Sequence, residues 1–322
     1  MRRLTSAALA LVTAAPLVAG ELAPPPGPIG PTGRFGPRVE IDALPYAITE
    51  PGSYYLGGNL TGVAGQNGIR VSAHDVTIDL NGFSLIGGTG TLRGISVDQN
   101  IGQLTVRNGS ISGWGAYGIF AGDPGGHVFV DLRVRGSGFS GIAAGSHSIV
   151  SRCVAYDNAG IGIAGGVSTV IVDCSAYNND QHGILAYSSV VRGCTARLNS
   201  LDGILVQNGA HVTDCTSHQN KRDGIRATQG CSIVANDCTA NGNDGDGAGI
   251  HVASGNGTRV EANNCSLNDR GIEVASAGNL VIRNTLASNS TTFSIVAGNG
   301  VGTLVSAVGV PSNLKPLANF SL

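Results

Sequence analysis

The side chains best suited to chemistry stand just ahead of a recurring Gly-Ile dipeptide. Asp180 and His182 precede Gly183, Asp202 precedes Gly203, and Lys221, Arg222 and Asp223 precede Gly224. Asp244 and Asp246 come before Gly249, and Asp269 and Arg270 before Gly271. If the dipeptides stack, these residues form an outward strip at one corner. Asp202 and Asp223 then share a register, with Cβ atoms about 4.8 Å apart. Two carboxylates that close would hold one proton between them, an acid beside a base. With His182 and Arg222 they make a candidate catalytic set for a polyuronide, and Asp180, Lys221, Asp244 and Asp246 a candidate ligand-binding set. The competing reading is a solvated bend, because Asp and Asn suit turn geometry in any case.

The elements that position this strip follow from the repeat. Gly-Ile recurs at Gly68, Gly94, Gly118, Gly141, Gly162, Gly183, Gly203, Gly224, Gly249 and Gly271, with a degenerate copy at Ser294-Ile295. A second column runs in phase: Cys153, Cys174, Cys194, Cys215, Cys238 and Cys265, flanked by Leu132 and Asn284. A small residue follows two positions later and Asn three beyond that, at Asn158, Asn179, Asn199, Asn220 and Asn243, then Asn289. Val150, Ile171, Val191 and Val212 precede the cysteines.

Apolar patches of two or three alternating residues suit short strands and cannot build an amphipathic helix. Three strands and their bends make one coil, which buries almost nothing until coils stack. The expected fold is therefore all-β, a single-stranded right-handed parallel β-helix of about ten coils of roughly twenty residues. Asn at a bend is expected to take left-handed backbone geometry, and Gly before Ile to turn the chain.

Arg2, Arg3 and the uncharged run Ala7–Val18 read as a signal peptide over 1–20. A Pro/Gly-rich stretch over 21–38 reads as an extended linker, its four Gly-X-Y triplets being too few for collagen. The β-helix domain is placed at 39–322, with an N-terminal cap at 39–60 and a C-terminal cap at 303–322 covering exposed strand edges. Export to the periplasm, the cell surface or the medium is expected, with no membrane span in the mature chain.

Charged residues make up only 12% of the chain and the net charge is −2. That leaves no basic footprint for nucleic acid. In-register thiols on parallel strands fit disulfide geometry poorly, and Cys also serves as a small buried hydrophobe. Both readings stay open, with Cys231, off the main column, as the odd partner in any disulfide. No transition-metal set is evident, and His211 and His218 only flank Cys215. The longer coil Asn241–Gly249, with Asn243, Asp244 and Asp246, could take Ca2+ but matches neither common calcium-loop pattern.

Three segments, Pro51–Leu56, Asp79–Leu85 and Val106–Gly115, together with the Cys-x-Ala-x-x-Asn repeats, resemble secreted bacterial parallel β-helix repeat proteins of the pectate-lyase-like superfamily. The resemblance covers nearly all of the expected mature chain and implies the fold. Functions in that superfamily range over lyases, hydrolases, epimerases, tailspikes and adhesins, so fold alone does not choose among them. Polygalacturonase-like motifs are missing apart from a partial match at Gln181-His182-Gly183. The Tyr-Gly-x-Asp-Pro-His run of alginate-epimerase-like proteins is matched only in broken form, by Tyr117-Gly118-Ile119, Asp123-Pro124 and His127. Complete repeat machinery without a complete catalytic motif favours a non-catalytic protein presenting a surface to carbohydrate or cell-envelope glycan. A polysaccharide lyase or hydrolase using Asp202 and Asp223 is the rival, and a self-associating adhesion module the third reading.

Overall fold

Apolar pairs separated by turn residues dictate short strands, and the chain forms only strands and turns among its described residues. In a computed structural model these are residues 38–242, 245–306 and 316–322. The signal segment 1–20 and, Arg38 aside, the linker 21–38 lie outside them, as do Asn243 and Asp244.

A typical coil has three strands, as in Ile184–Tyr187, Val190–Arg192 and Thr195–Arg197, and in two coils a single long strand, Thr105–Ser112 or Val128–Arg135, spans the second and third places. Each strand pairs in parallel with its counterpart in the next coil, Ile184 with Ile204, Val191 with Val212 and Ala196 with Ser217. Three ladders result, which we call the Gly-Ile, valine and Cys/Ala faces. The Gly-Ile face has twelve strands, from Tyr46–Ile48 to Thr291–Ile295. The helix thus has about twelve coils, because Tyr46 and Phe293 occupy the Ile column at the two ends. Phe293, not Ile295, is the partner of Ile272, so the degenerate copy of Gly-Ile is Thr292-Phe293.

The interior is built from the expected columns. Ile184, Ala186, Val191, Cys194 and Ala196 in one coil are essentially inaccessible, as are their counterparts above and below. Stacking removes apolar surface that no single coil could bury, which is where the fold's hydrophobic stabilisation arises. All seven cysteines are free and buried. Cys153, Cys174, Cys194 and Cys215 form one column, but Asn236, Asn263, Asn284 and Asn319 continue it. Cys238 and Cys265 sit in the Ala column instead, Cys238 pairing with Ser217 and Cys265 with Leu286. The coil spacing does not change there: Asn236 stands 21 residues after Cys215 in the Cys place, and Cys238, two residues on, takes the Ala place. Cys231 itself lies at the entry to the valine face, where its N–H donates to the Thr258 hydroxyl.

The bends work differently from the expectation. Left-handed backbone falls on the residue before each Asn of one buried column, such as Asn178, Leu198 and Gln219, all with φ near 54–55°. The Asn side chains instead form a buried ladder, Asn158, Asn179, Asn199, Asn220, Asn241, Asn268 and Asn289. Asn241, not Asn243, is its member in the longer coil. Each amide Nδ2 donates to the next Oδ1, which also accepts the preceding rung's backbone N–H, as Asn199 Oδ1 does from Asn179. The corner's polar backbone is satisfied without water.

Both ends are covered by strands. Tyr46–Ile48, Gly52–Leu56 and Leu60–Thr61 already make a full coil, so the covering strand at the N-terminus is Val39–Ile41, paired with Gly52–Leu56. At the other end Asn319–Ser321 pairs with Thr285–Ala287, and Leu304–Ser306 lies beyond it.

Candidate functional site

The residue before each Gly of Gly-Ile forms a column, and its backbone N–H needs an acceptor from the coil below. In the central coils side chains supply it. The N–H of Asp202 donates to His182 Nδ1 (3.3 Å), that of Asp223 to Asp202 Oδ1 (3.1 Å), and that of Ala248 to Asp223 Oδ1 (2.8 Å). This is why Asp202 and Asp223 face into the wall, only 1% and 2% exposed, and not outward. Desolvating a carboxylate is tolerable only with such partners.

Asp202 Oδ2 lies 3.2 Å from His182 Nδ1, the nitrogen that already accepts the Asp202 N–H. Asp223 Oδ2 meets His251 Nδ1 at 2.8 Å and Arg226 Nη1 at 3.1 Å. Arg226, His251 and Glu273 are consecutive register partners on the Gly-Ile face. Arg270 completes the cluster, reaching Asp246 at 3.0 Å and Glu273 at 3.2 Å. Its guanidinium holds the Asp246 carboxyl below the usual carboxylate range.

The structure therefore brings together His182, Asp202 and Asp223 from the expected set, with Asp246 at the edge of the same face. Asp180 and Lys221 are exposed in a neighbouring column, their N–H groups donating to Asn158 and Asn199 carbonyls. Arg222 is exposed beside them, and Asp244 lies outside the described residues. Arg226, His251 and Glu273 went unnoticed in the sequence. Their signal was available: each directly follows the Ile of a Gly-Ile pair.

Chemically, His251 is oriented through Nδ1 by a buried carboxylate, and its Nε2 has no hydrogen-bond partner among the described residues. A His held this way has the geometry of a general base. No group of three or more Asp, Glu, His or Cys side chains suited to a metal occurs among the described residues.

A second cluster lies further toward the N-terminus on the same face. Arg93 stands over the Phe120 ring at 4.0 Å and the Tyr117 ring at 5.6 Å. Tyr117 packs against Phe120 and Phe139, with centroids 4.9 and 5.0 Å apart, and Phe139 is 44% exposed. The broken Tyr-Gly-x-Asp-Pro-His match is not assembled around it. His127 is fully buried in the bend leading to the valine face, where Nδ1 accepts from Leu104 N–H and Nε2 faces the Gly122 carbonyl. Burial pushes the His127 pKa down.

Residues 93–237 and 188–307 match the family described as right handed beta helix region, and the chain belongs to that family. Among solved structures, the A-module of the Azotobacter vinelandii mannuronan C-5 epimerase AlgE4 superposes with a TM-score of 0.67. It is 15% identical, over 78% of this chain and 84% of that one. The Dettilon tailspike protein gives 0.63 at 15% identity, over 88% of this chain and 60% of the tailspike. The catalytic domain of a GH87 alpha-1,3-glucanase, solved with nigerose, gives 0.54 at 12% identity, covering 83% and 63%. At these identities the likeness is one of fold. No curated protein matches the sequence. No helix among the described residues is long and apolar enough to cross a membrane.

Proposed function

We propose that the chain is an exported β-helix that binds an extended glycan along its Gly-Ile face without processing it. The observation that carries this reading is the contrast on that face between consumed carboxylates and available rings. Three of the four carboxylate oxygens of Asp202 and Asp223 are hydrogen-bonded inside the wall, and the fourth belongs to an Asp202 side chain only 2% exposed. Among the accessible groups are Arg93, Tyr117, Phe120 and Phe139, an aromatic and cationic surface suited to sugar rings and their carboxylates. Several proteins that share the fold are named for action on polysaccharides, which agrees with a carbohydrate partner. Glycan-array binding of the protein lacking residues 1–20 tests the proposal. Binding to a polyuronide, weakened by Phe120→Ala and Arg93→Gln with no change in the polymer, is the expected result. An array without any bound glycan would sink it.

The Asp223–His251 pair favours a second reading, a polysaccharide lyase or hydrolase with His251 as the base. Incubation with pectate and alginate discriminates the two. Unsaturated product or new reducing ends, lost in His251→Gln, would replace the binding reading with the enzymatic one.

A further inference from the structure

The Cys/Ala face carries an exposed row that neither reading uses. Arg135, Tyr156, Tyr177, Arg197 and His218 are register partners in five successive coils. The two tyrosine rings stack with centroids 4.8 Å apart and planes 12° from parallel. Arg197 covers the far side of the Tyr177 ring at 5.2 Å. Both faces of the Tyr177 ring are thus occupied, which leaves its edge and hydroxyl toward solvent. Burial comes first among the causes that push the Tyr177 pKa up, so its hydroxyl stays a donor.

Charge over these five rungs is one-sided, and the first carboxylate, Asp237, comes on the sixth, beside Thr216. The ten outward positions of these five strand segments comprise Arg133, Arg135, Arg197, His218, the two tyrosines and four small or apolar residues, with no carboxylate. None of the three arginines makes an ion pair among the described residues, whereas Arg152 nearby is paired with Asp131. Asp157, close enough to Tyr177 to help raise its pKa, sits at the adjoining corner.

We propose that this row is a second binding site, for a linear anionic glycan lying along the helix axis. Its argument is independent of the Gly-Ile face, although it rests on the reading of the protein as a glycan binder. Arg135 and Arg197 stand three rungs apart, roughly 14 Å at the usual strand spacing. Between them stand two phenol hydroxyls, each able to donate, in a regular register. A polymer with acidic groups at a regular repeat matches that pattern. Three arginines are too few for strong nucleic-acid binding, which draws on many phosphate contacts.

The test uses the full chain without residues 1–20 and measures binding to polygalacturonate, to neutral dextran and to poly-glutamate. Arg135→Gln/Arg197→Gln is expected to weaken polygalacturonate binding roughly tenfold or more at low salt, the loss of one or two charge-assisted hydrogen bonds. Arg135→Lys/Arg197→Lys, which keeps the charge, should recover part of it. Tyr177→Phe, which keeps the stack, should cost less than Tyr177→Ala. Equal binding by the double Gln variant, with Arg93→Gln abolishing it, would overturn this site and leave the Gly-Ile face as the binding surface. Absence of polygalacturonate binding by the unaltered protein would overturn both. Poly-glutamate bound as tightly as polygalacturonate would overturn the assignment to a glycan.

Discussion

A Cβ added to Gly203 would stand 2.5 Å from the Nδ2 of Asn220. The glycine column and the asparagine ladder are therefore one device: Asn closes the corner by filling the space that Gly leaves open. Gly183 repeats the relationship with Asn199 at 2.6 Å. None of the Gly-Ile glycines takes positive φ, so close approach and not turning explains them.

Gly203→Ala is accordingly expected to destabilise the protein severely. The new methyl would meet Ser217 Oγ at 2.1 Å and the Gly224 carbonyl oxygen at 2.8 Å, and the latter belongs to the ladder and cannot rotate away. A loss of about 3 kcal/mol, the upper end for overpacking, is expected in urea unfolding. Gly209→Ala, where no atom lies within 4 Å, tests φ alone at +77° and should cost about 1 kcal/mol. Equal losses at the two positions would contradict the packing account.

Asn199→Ala should cost more than Asn289→Ala. Asn199 Oδ1 accepts from both the backbone N–H and the Nδ2 of Asn179, and all these groups are buried. Each buried donor left unpaired costs about 1–3 kcal/mol. Asn289, the last rung, is half-buried, and water can replace it. A flat profile of unfolding midpoints along the ladder would contradict this ordering.

Much of this was legible because inward columns repeat. A coil admits few side chains at its Ile, Val, Cys/Ala and Asn positions, so identical residues recur in phase. Register became illegible where the column changed residue: Asn236 takes the Cys place, and Cys238-x-Ala240 imitates the Cys-x-Ala spacing, yet Ala240 takes the left-handed corner. The burial of Asp202 and Asp223 was hidden for another reason. Carboxylates at a bend look solvated in sequence, and only the three-dimensional ladder reveals the unpaired backbone N–H groups they satisfy. His251 lies 28 residues from Asp223, so no local motif joins the two, and only its place after the Ile of a Gly-Ile pair marks its face.

The cysteine column should be chemically silent in the folded protein. Its neighbour Cys174, together with burial, pushes the Cys194 thiol up to about 12. Thiolate is the reactive form, so alkylating reagents at pH 8 should label Cys194 only after unfolding. The unfolded thiol ionises near 9, so the native state holds its proton over a wider range. Between about pH 9 and 12 the unfolded chain binds fewer protons, and stability must fall as pH rises. Cys194→Ala should flatten that part of the stability profile. Rapid labelling of native Cys194 by mass spectrometry would refute the closed interior.

Asp223→Asn separates a structural role for the buried carboxylates from a catalytic one. An amide can still accept from Ala248 N–H through its oxygen, but its NH2 group would then face Arg226 and His251. Opposing donors beside a buried site should cost about 3 kcal/mol, in the range for breaking a buried ion pair. Asp202→Asn faces only one His nitrogen across the second oxygen and no arginine, so its cost should be smaller. Under the binding reading both variants keep glycan affinity once folded, since neither carboxylate is exposed. Under the enzymatic reading Asp223→Asn abolishes turnover with the glycan still bound, because His251 loses the group that orients it. Stability by urea titration and product formation on pectate, measured on the same preparations, tell these outcomes apart.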